Sequence, residues 1–271
     1  MQISVKLIGT ATVLLEMGGL RFITDPVLGT AAVSAPVRVG RTDLVTYRRL
    51  RPPVFDPAEL AECAACLLSH DQHGDHLDAE GRALLARLPL TLTTTAGAAR
   101  LARSWPGIRV TGLVPWARVE LPGPVGPSRA RVRVTAVPAQ HGPAVFHRIA
   151  GPVVGFVLEH PDFAHGAMLF SGDTRNTRSW QEVAERFRVG TAWVHLGAGR
   201  FWPTGPVRYS MDAREGVAFC GRFRTLRTAL PVHFDDWSQF SEPAAAVRAR
   251  FRLPHARTEW LPQGAWHALE V

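Results

Sequence analysis

The first 25 residues read as strands: ISVKLIG (3–9), where apolar and polar side chains alternate from the N-terminus, then TVLLEM (12–17) and LRFITD (20–25). Gly18-Gly19 supplies the tight turn between the last two, since a two-residue hairpin turn favours residues that accept positive φ. A long stretch rich in proline and arginine follows, from Pro26 to Pro53. Asp56-Pro57-Ala58-Glu59 then opens a short helix, with Asp56 as N-cap, Pro57 at the first helical position and Glu59 completing a capping box. Cys66–Ser69 reads as a buried strand, and the spacing of Leu77, Leu84, Leu85 and Leu88 predicts a helix from Asp75 to Leu88. RVRVTAVPA (131–139), VVGFVLEH (153–160), AMLFSGD (167–173), TAWVHLG (191–197) and TALPVHF (228–234) are further strands. Ser179-Trp180-Gln181-Glu182 has a capping-box pattern and predicts a helix to about Arg188; others are expected over 211–223 and 244–251.

Strands in two groups with helices between them indicate a layered α/β domain, and the pattern alone leaves the stacking of the layers open. Neither a Gly/Ser linker nor a fixed-period repeat divides the chain, so residues 1–271 read as one domain. Hydrophobic residues make up 46%, enough for a sizeable core, and no apolar run reaches membrane-spanning length. MQISVKLIGT alternates like a strand and lacks a secretory apolar region, so a cytoplasmic location is expected. The formal charge is +8, with Lys6 the only lysine among 31 basic residues. The arginines are scattered apart from groups such as Arg48-Arg49-Arg51 and Arg129-Arg131-Arg133, and an anionic small substrate accounts for them as well as nucleic acid or lipid would. Cys63-Ala-Ala-Cys66 has the spacing of a zinc knuckle or redox pair, but no second pair follows and Cys66 opens an apolar strand, which favours packing thiols.

The chemistry concentrates at strand ends. His70-Asp71-Gln72-His73-Gly74-Asp75-His76 follows the strand CLLS, His141 follows RVTAVPAQ, Asp173 follows MLFSG and His233 follows TALPV. Imidazole and carboxylate are the ligands that zinc and its neighbours favour, and they must converge from rigid supports. His70, His73, Asp75, His76, His141, Asp173 and His233 are therefore the candidate metal ligands. His147, His160, His165, His255 and His267 read as ordinary hydrogen-bonded histidines, while His195, also at a strand end, either lines the pocket or serves the scaffold.

At these residues the sequence resembles the metallo-β-lactamase superfamily. The resemblance rests on Gly9-Thr10-Ala11-Thr12-Val13, Thr24-Asp25-Pro26, the His70–His76 loop, Gln140-His141, Ser171-Gly172-Asp173-Thr174 and Pro231-Val232-His233, in order along nearly the whole chain. The first two look like the branch containing L-ascorbate-6-phosphate lactonase and N-acyl phosphatidylethanolamine phospholipase D. The resemblance implies an α/β fold of the αββα sandwich type, hydrolytic activity, and two metal ions. Zinc is usual, with manganese, iron or nickel in some members. Carried over, it gives one site of His70, His73 and His141, a second of Asp75, His76 and His233, and Asp173 bridging them. One departure stands out: the family loop H-x-H-x-D-H is here H-x-x-H-x-D-H. Either a bulge restores the aim of His70, or Gln72 occupies the ligand slot and weakens the first site.

Two divalent ions would lower the pKa of a shared water and stabilise a developing oxyanion. Asp75 is the candidate for orienting the nucleophile. Ester, lactone or phosphodiester hydrolysis is expected on an anionic small molecule or lipid, with Pro26–Pro53 and Gly197–Ser210 as pocket walls carrying Arg38, Arg41, Arg200, Arg208, Phe201, Trp202 and Tyr209. His195, Arg200, Arg208 and Trp202 are the candidate substrate contacts. The alternatives are a nuclease, for which neither a basic stripe nor an inserted arm is evident, and a metal-binding scaffold that has lost activity. No stable nucleic-acid partner is expected.

Overall fold

The computed structural model describes residues 1–30, 37–39, 42–45, 47–123, 131–146, 150–200 and 204–271, with the backbone alone for 37–39 and 42–45. In chain order its strands are β1 (Gln2–Gly9), β2 (Thr12–Met17), β3 (Leu20–Thr24), β4 (Val37–Val39), β5 (Thr42–Val45), β6 (Cys63–Leu67), β7 (Thr91–Thr94), β8 (Val110–Leu113), β9 (Arg118–Leu121), β10 (Val132–Pro138), β11 (Val154–Glu159), β12 (Ala167–Phe170), β13 (Val189–His195), β14 (Thr228–Val232), β15 (Arg257–Thr258) and β16 (Trp266–Glu270). Among the described residues they form two seven-stranded sheets, ordered β16-β1-β2-β3-β6-β7-β8 and β15-β14-β13-β12-β11-β10-β9, and a ribbon of β4 and β5.

Side-chain alternation assigns the layers. Val13 and Leu15 of β2, Leu67 of β6, Val134 of β10, Phe156 of β11, Phe170 of β12, Trp193 of β13 and Val232 of β14 belong to one buried cluster, the core between the sheets. The residues of opposite parity face outward under helices. Leu14, Ile23, Cys66 and Leu68 meet Leu84 and Leu85 of helix Ala79–Leu85 and Leu101 of helix Thr95–Ser104. Val157, Leu169, Ala192 and Val194 meet Trp180 and Val183 of helix Ser179–Arg186, Phe219 of helix Ala213–Cys220 and Val247 of helix Ala244–Arg250. The result is an αββα sandwich of the metallo-β-lactamase type, as the resemblance implied. All three cysteines are free and buried. Among the described residues no helix is long and apolar enough to cross a membrane.

Strands β3, β6 and β7 run parallel, as do β12, β13 and β14, so their C-terminal ends share an edge within each sheet. Parallel pairing therefore fixes where the strand-end residues gather. Several helix boundaries differ from the sequence pattern. The helix expected from Asp75 begins only at Ala79, because His76 N and Leu77 N both donate to His73 O in a turn and Asp78, with extended backbone, caps Gly81 N at 2.7 Å. Leu77, Leu84, Leu85 and Leu88 are nonetheless all buried. The Asp56 capping box forms as expected. The one at Ser179 does not: Ser179 Oγ bonds Thr177 Oγ1 at 2.8 Å, and the helix has no side-chain cap and ends at Arg186. The helix expected over 211–223 is Ala213–Cys220, capped by Asp212.

Candidate metal centre

The strand ends bring His70, His73, Asp75, His76, His141, Asp173 and His233 into one cluster, in which His73 is half-buried and the rest buried. Three trios each have one donor atom per residue within 4.8 Å of the others: His70/His73/His141, His70/His76/Asp173 and Asp75/His76/His233. Asp173 Oδ2 stands between the outer trios, 3.4 Å from His141 Nδ1 and 3.6 Å from His76 Nε2.

The scaffold determines which nitrogen each imidazole offers. His76 Nδ1 donates to Asp25 Oδ2 (2.9 Å), and His233 Nδ1 donates to Leu196 O (3.2 Å). Ser69 Oγ donates to Asp25 Oδ2 (2.8 Å), so it is left to accept from His70 Nδ1 at 3.0 Å. In each ring Nε2 then carries the lone pair facing the cluster, the arrangement by which an outer hydrogen bond orients a metal-binding imidazole. His76 Nε2 and His233 Nε2 face one another at 3.0 Å, and His70 Nε2 faces His73 Nδ1 at 3.0 Å. Among the described residues His141 Nδ1 and Nε2 and Asp173 Oδ1 have no hydrogen-bond partner despite burial. Ring nitrogens that face one another across the cluster, with buried polar atoms left unsatisfied beside them, fit a cation. This set of imidazole and carboxylate donors fits divalent transition metals.

The protonation tendencies agree. Burial, reinforced by the neighbouring imidazoles, holds His70 well below the ordinary histidine range, and burial with His141 beside it brings His73 down to about 3. Burial also lowers His141. Desolvation opposes charge on Asp75 and Asp173, but the surrounding histidines outweigh it and keep both carboxyls below the usual range. His76 is the exception: burial works against its charge, yet Asp25, Asp173 and Asp75 together raise it.

Gln72 is not in the cluster. Its amide nitrogen donates to Ala150 O (3.0 Å) and Pro152 O (3.1 Å), while His70 Nε2 lies 3.0 Å from His73 Nδ1. His195 is fully buried beneath the cluster, with Nδ1 3.1 Å from Ser171 Oγ and Nε2 3.8 Å from Asp25 Oδ2, and burial brings it down to about 4. Arg208 pairs with Asp212, the cap of helix Ala213–Cys220. Arg200 is exposed, and its backbone N donates to Gln239 O at 3.1 Å. Trp202, Phe201, Arg41 and the side chain of Arg38 lie outside the described residues.

Two residues outside the expected set, Asp25 and Gln239, shape the site together with Tyr209 of the expected pocket wall. Asp25 accepts from Ser69 N (2.6 Å), Ser69 Oγ and His76. Gln239 Nε2 donates to Asp75 Oδ2 at 2.8 Å. Tyr209 packs its ring 5.6 Å from that of His141. Asp25 had a signal, since it too ends a strand; Gln239 had none. The motif Gly9-Thr10-Ala11-Thr12 acts here as a buttress. Thr12 Oγ1 donates to Asp25 O (2.6 Å), and Thr10 O accepts from His233 N (2.9 Å). Asp25 and His233, with φ of 33° and 60°, both sit in the left-handed region, strained positions that the surrounding bonds hold.

A family model described as a beta-lactamase superfamily domain matches residues 20–234. An uncharacterised protein of Mycobacterium tuberculosis is 32% identical over 209 residues, covering 74% of this chain and 51% of that one, so the chain spans about half the length of that relative. The N-acyl-phosphatidylethanolamine-hydrolyzing phospholipase D 1 of Caenorhabditis elegans is 37% identical over 73 residues, covering 27% of this chain and 18% of its own. Among solved structures, the isothiocyanate hydrolase from Delia radicum gut bacteria is similar in fold, with a TM-score of 0.75 at 19% identity over 98% of this chain and 99% of that one.

Proposed function

From the premise that this chain belongs to the beta-lactamase superfamily, we propose that it is a metal-dependent hydrolase. The observation that carries this reading is the cluster of His70, His73, Asp75, His76, His141, Asp173 and His233, whose donor atoms converge in overlapping trios. His70, His73 and His141 would hold one ion, Asp75, His76 and His233 a second, with Asp173 between them. Zinc suits this donor set, and manganese, iron or nickel would serve. Such ions supply a hydroxide nucleophile at neutral pH and stabilise negative charge as the bond breaks. The chain's own residues do the rest. Asp25, Ser69 and Leu196 O fix the imidazole tautomers. Gln239 holds Asp75 so that its carboxylate orients the attacking water.

The substrate class we infer is an ester, lactone or phosphodiester in an anionic small molecule or lipid. Its support is the exposed Arg200, whose backbone is tied to Gln239 and through that residue to Asp75. Arg208 is committed to Asp212 and is better read as holding the loop. The test is a panel of matched charged and neutral esters, lactones and bis-aryl phosphodiesters. Turnover should vanish with chelator, return with zinc or manganese, and be lost in His141→Ala. Arg200→Ala should raise KM for the anionic member roughly ten- to a hundred-fold, the worth of a hydrogen bond to a charged group at ~1.5–3 kcal/mol. Equal losses on charged and neutral substrates would remove Arg200 from substrate recognition. Metal-independent turnover would overturn the hydrolase mechanism.

A further inference from the structure

The extra residue between His70 and His73 is built into the structure on both sides. Asp71, 6% exposed, receives two bonds from the guanidinium of Arg100, Nε to Oδ2 at 2.9 Å and Nη2 to Oδ1 at 2.5 Å. The same Nη2 donates to Gln72 Oε1 at 3.1 Å. Arg82 of helix Ala79–Leu85 reaches Asp71 O at 3.4 Å. The other end of the Gln72 amide is held by the carbonyls of Ala150 and Pro152. Both side chains are thus gripped by helix Thr95–Ser104 and by the carbonyls of Ala150 and Pro152.

Two glycines make room for this grip. A Cβ at Gly97, in helix Thr95–Ser104, would lie 2.8 Å from Asp71 Oδ1. One at Gly151, where φ is +86°, would lie 2.5 Å from Gln72 Nε2. A Cβ at Gly97 would also lie 2.9 Å from Thr94 Oγ1, the cap of the same helix, so this glycine leaves room for both Asp71 and the cap. The other half of the cluster is held independently: Asp25 holds His76, Gln239 holds Asp75 and Leu196 O holds His233.

The geometry points to Arg100, Asp71 and Gln72 as a clamp that holds the loop so that His70 and His73 can serve one metal ion together with His141. They are positioning residues, and the inference rests on the reading of the cluster as a paired metal site. Loosening the clamp frees the spacing between His70 and His73, while Asp25, Gln239 and Leu196 O still hold His76, Asp75 and His233. Loss should therefore be confined to one ion of the two.

The test titrates metal-free wild type, Arg100→Ala, Gln72→Ala and Arg100→Lys with zinc against a chromophoric chelator, and follows cobalt binding by its visible absorption. Wild type should take two ions. Arg100→Ala and Gln72→Ala should keep one at wild-type affinity and bind the other about 10- to 100-fold more weakly, as is usual when an outer hydrogen-bond partner of a metal ligand is lost. Arg100→Lys, which keeps the charge but not the forked contact, should fall between. Arg103→Ala, exposed on the same helix, should match wild type. Should Arg100→Ala fail to fold, Gln72→Ala decides alone. Two ions held at wild-type affinity by the variants, or equal weakening of both ions, would overturn the clamp. A wild type that binds no metal would overturn the paired-site reading beneath it.

Discussion

Asp25 accepts three hydrogen bonds from the loop that carries the histidines, and among the described residues its side chain is wholly buried. Its carboxyl is held below the usual range: desolvation opposes the charge, but His76 and His195 outweigh it. A neutral amide at this position cannot accept the same set, because one of its two atoms is a donor. Asp25→Asn should thus leave the chain folded but misalign His76, weakening metal binding about 10- to 100-fold by chelator competition. Unchanged affinity would reduce Asp25 to a loop anchor. The role of this residue was only half legible in the sequence. Thr24-Asp25-Pro26 marks a strand end, but its partners, Ser69 and His76, come from β6 and the loop after it, and only the parallel pairing of β3 with β6 brings them together. The choice between His70 and Gln72 was likewise open in the sequence. It depends on Arg100 and the 150–152 carbonyls, which no local spacing reveals.

At the scale of elements, strands were easier to read than helix ends. Strands such as TVLLEM alternate between two buried faces, so period and burial agree. Helix starts depend on which side chain wins a cap. Asp78 does, and the turn from His73 to Leu77 before it belongs to the site instead. Helix Ala79–Leu85 also carries a constraint that opposes propensity. Alanine in place of Gly81 would ordinarily gain about 1 kcal/mol in a helix. Here the added Cβ would lie 2.0 Å from Pro26 O, a backbone atom next to Asp25. Overpacking of this kind costs ~1–3 kcal/mol, so the clash outweighs the gain. Gly81→Ala should lower the melting temperature and loosen metal binding together, through the turn that holds Asp25. A more stable variant would show that the helix slides freely.

Across the molecule, the two sheets place seven donors from four separated segments within one cluster, and the parallel strands on each side of the core make that convergence possible. The layered class was legible because helices and strands alternate in two groups, while the stacking and strand order required tertiary contacts spanning most of the chain. The excess of arginine marks no single face from sequence, and several arginines are spent on structure: Arg21 on Glu16 and Glu62, Arg100 on Asp71, Arg175 on Glu215 and Arg208 on Asp212. The paired metal site is tested most directly by elemental analysis of the protein. After reconstitution with zinc or manganese and removal of excess ion, wild type should retain two transition-metal ions per chain, and Asp173→Ala should lose both or keep one weakly. A wild type that retains none, with the fold intact by circular dichroism, would contradict it.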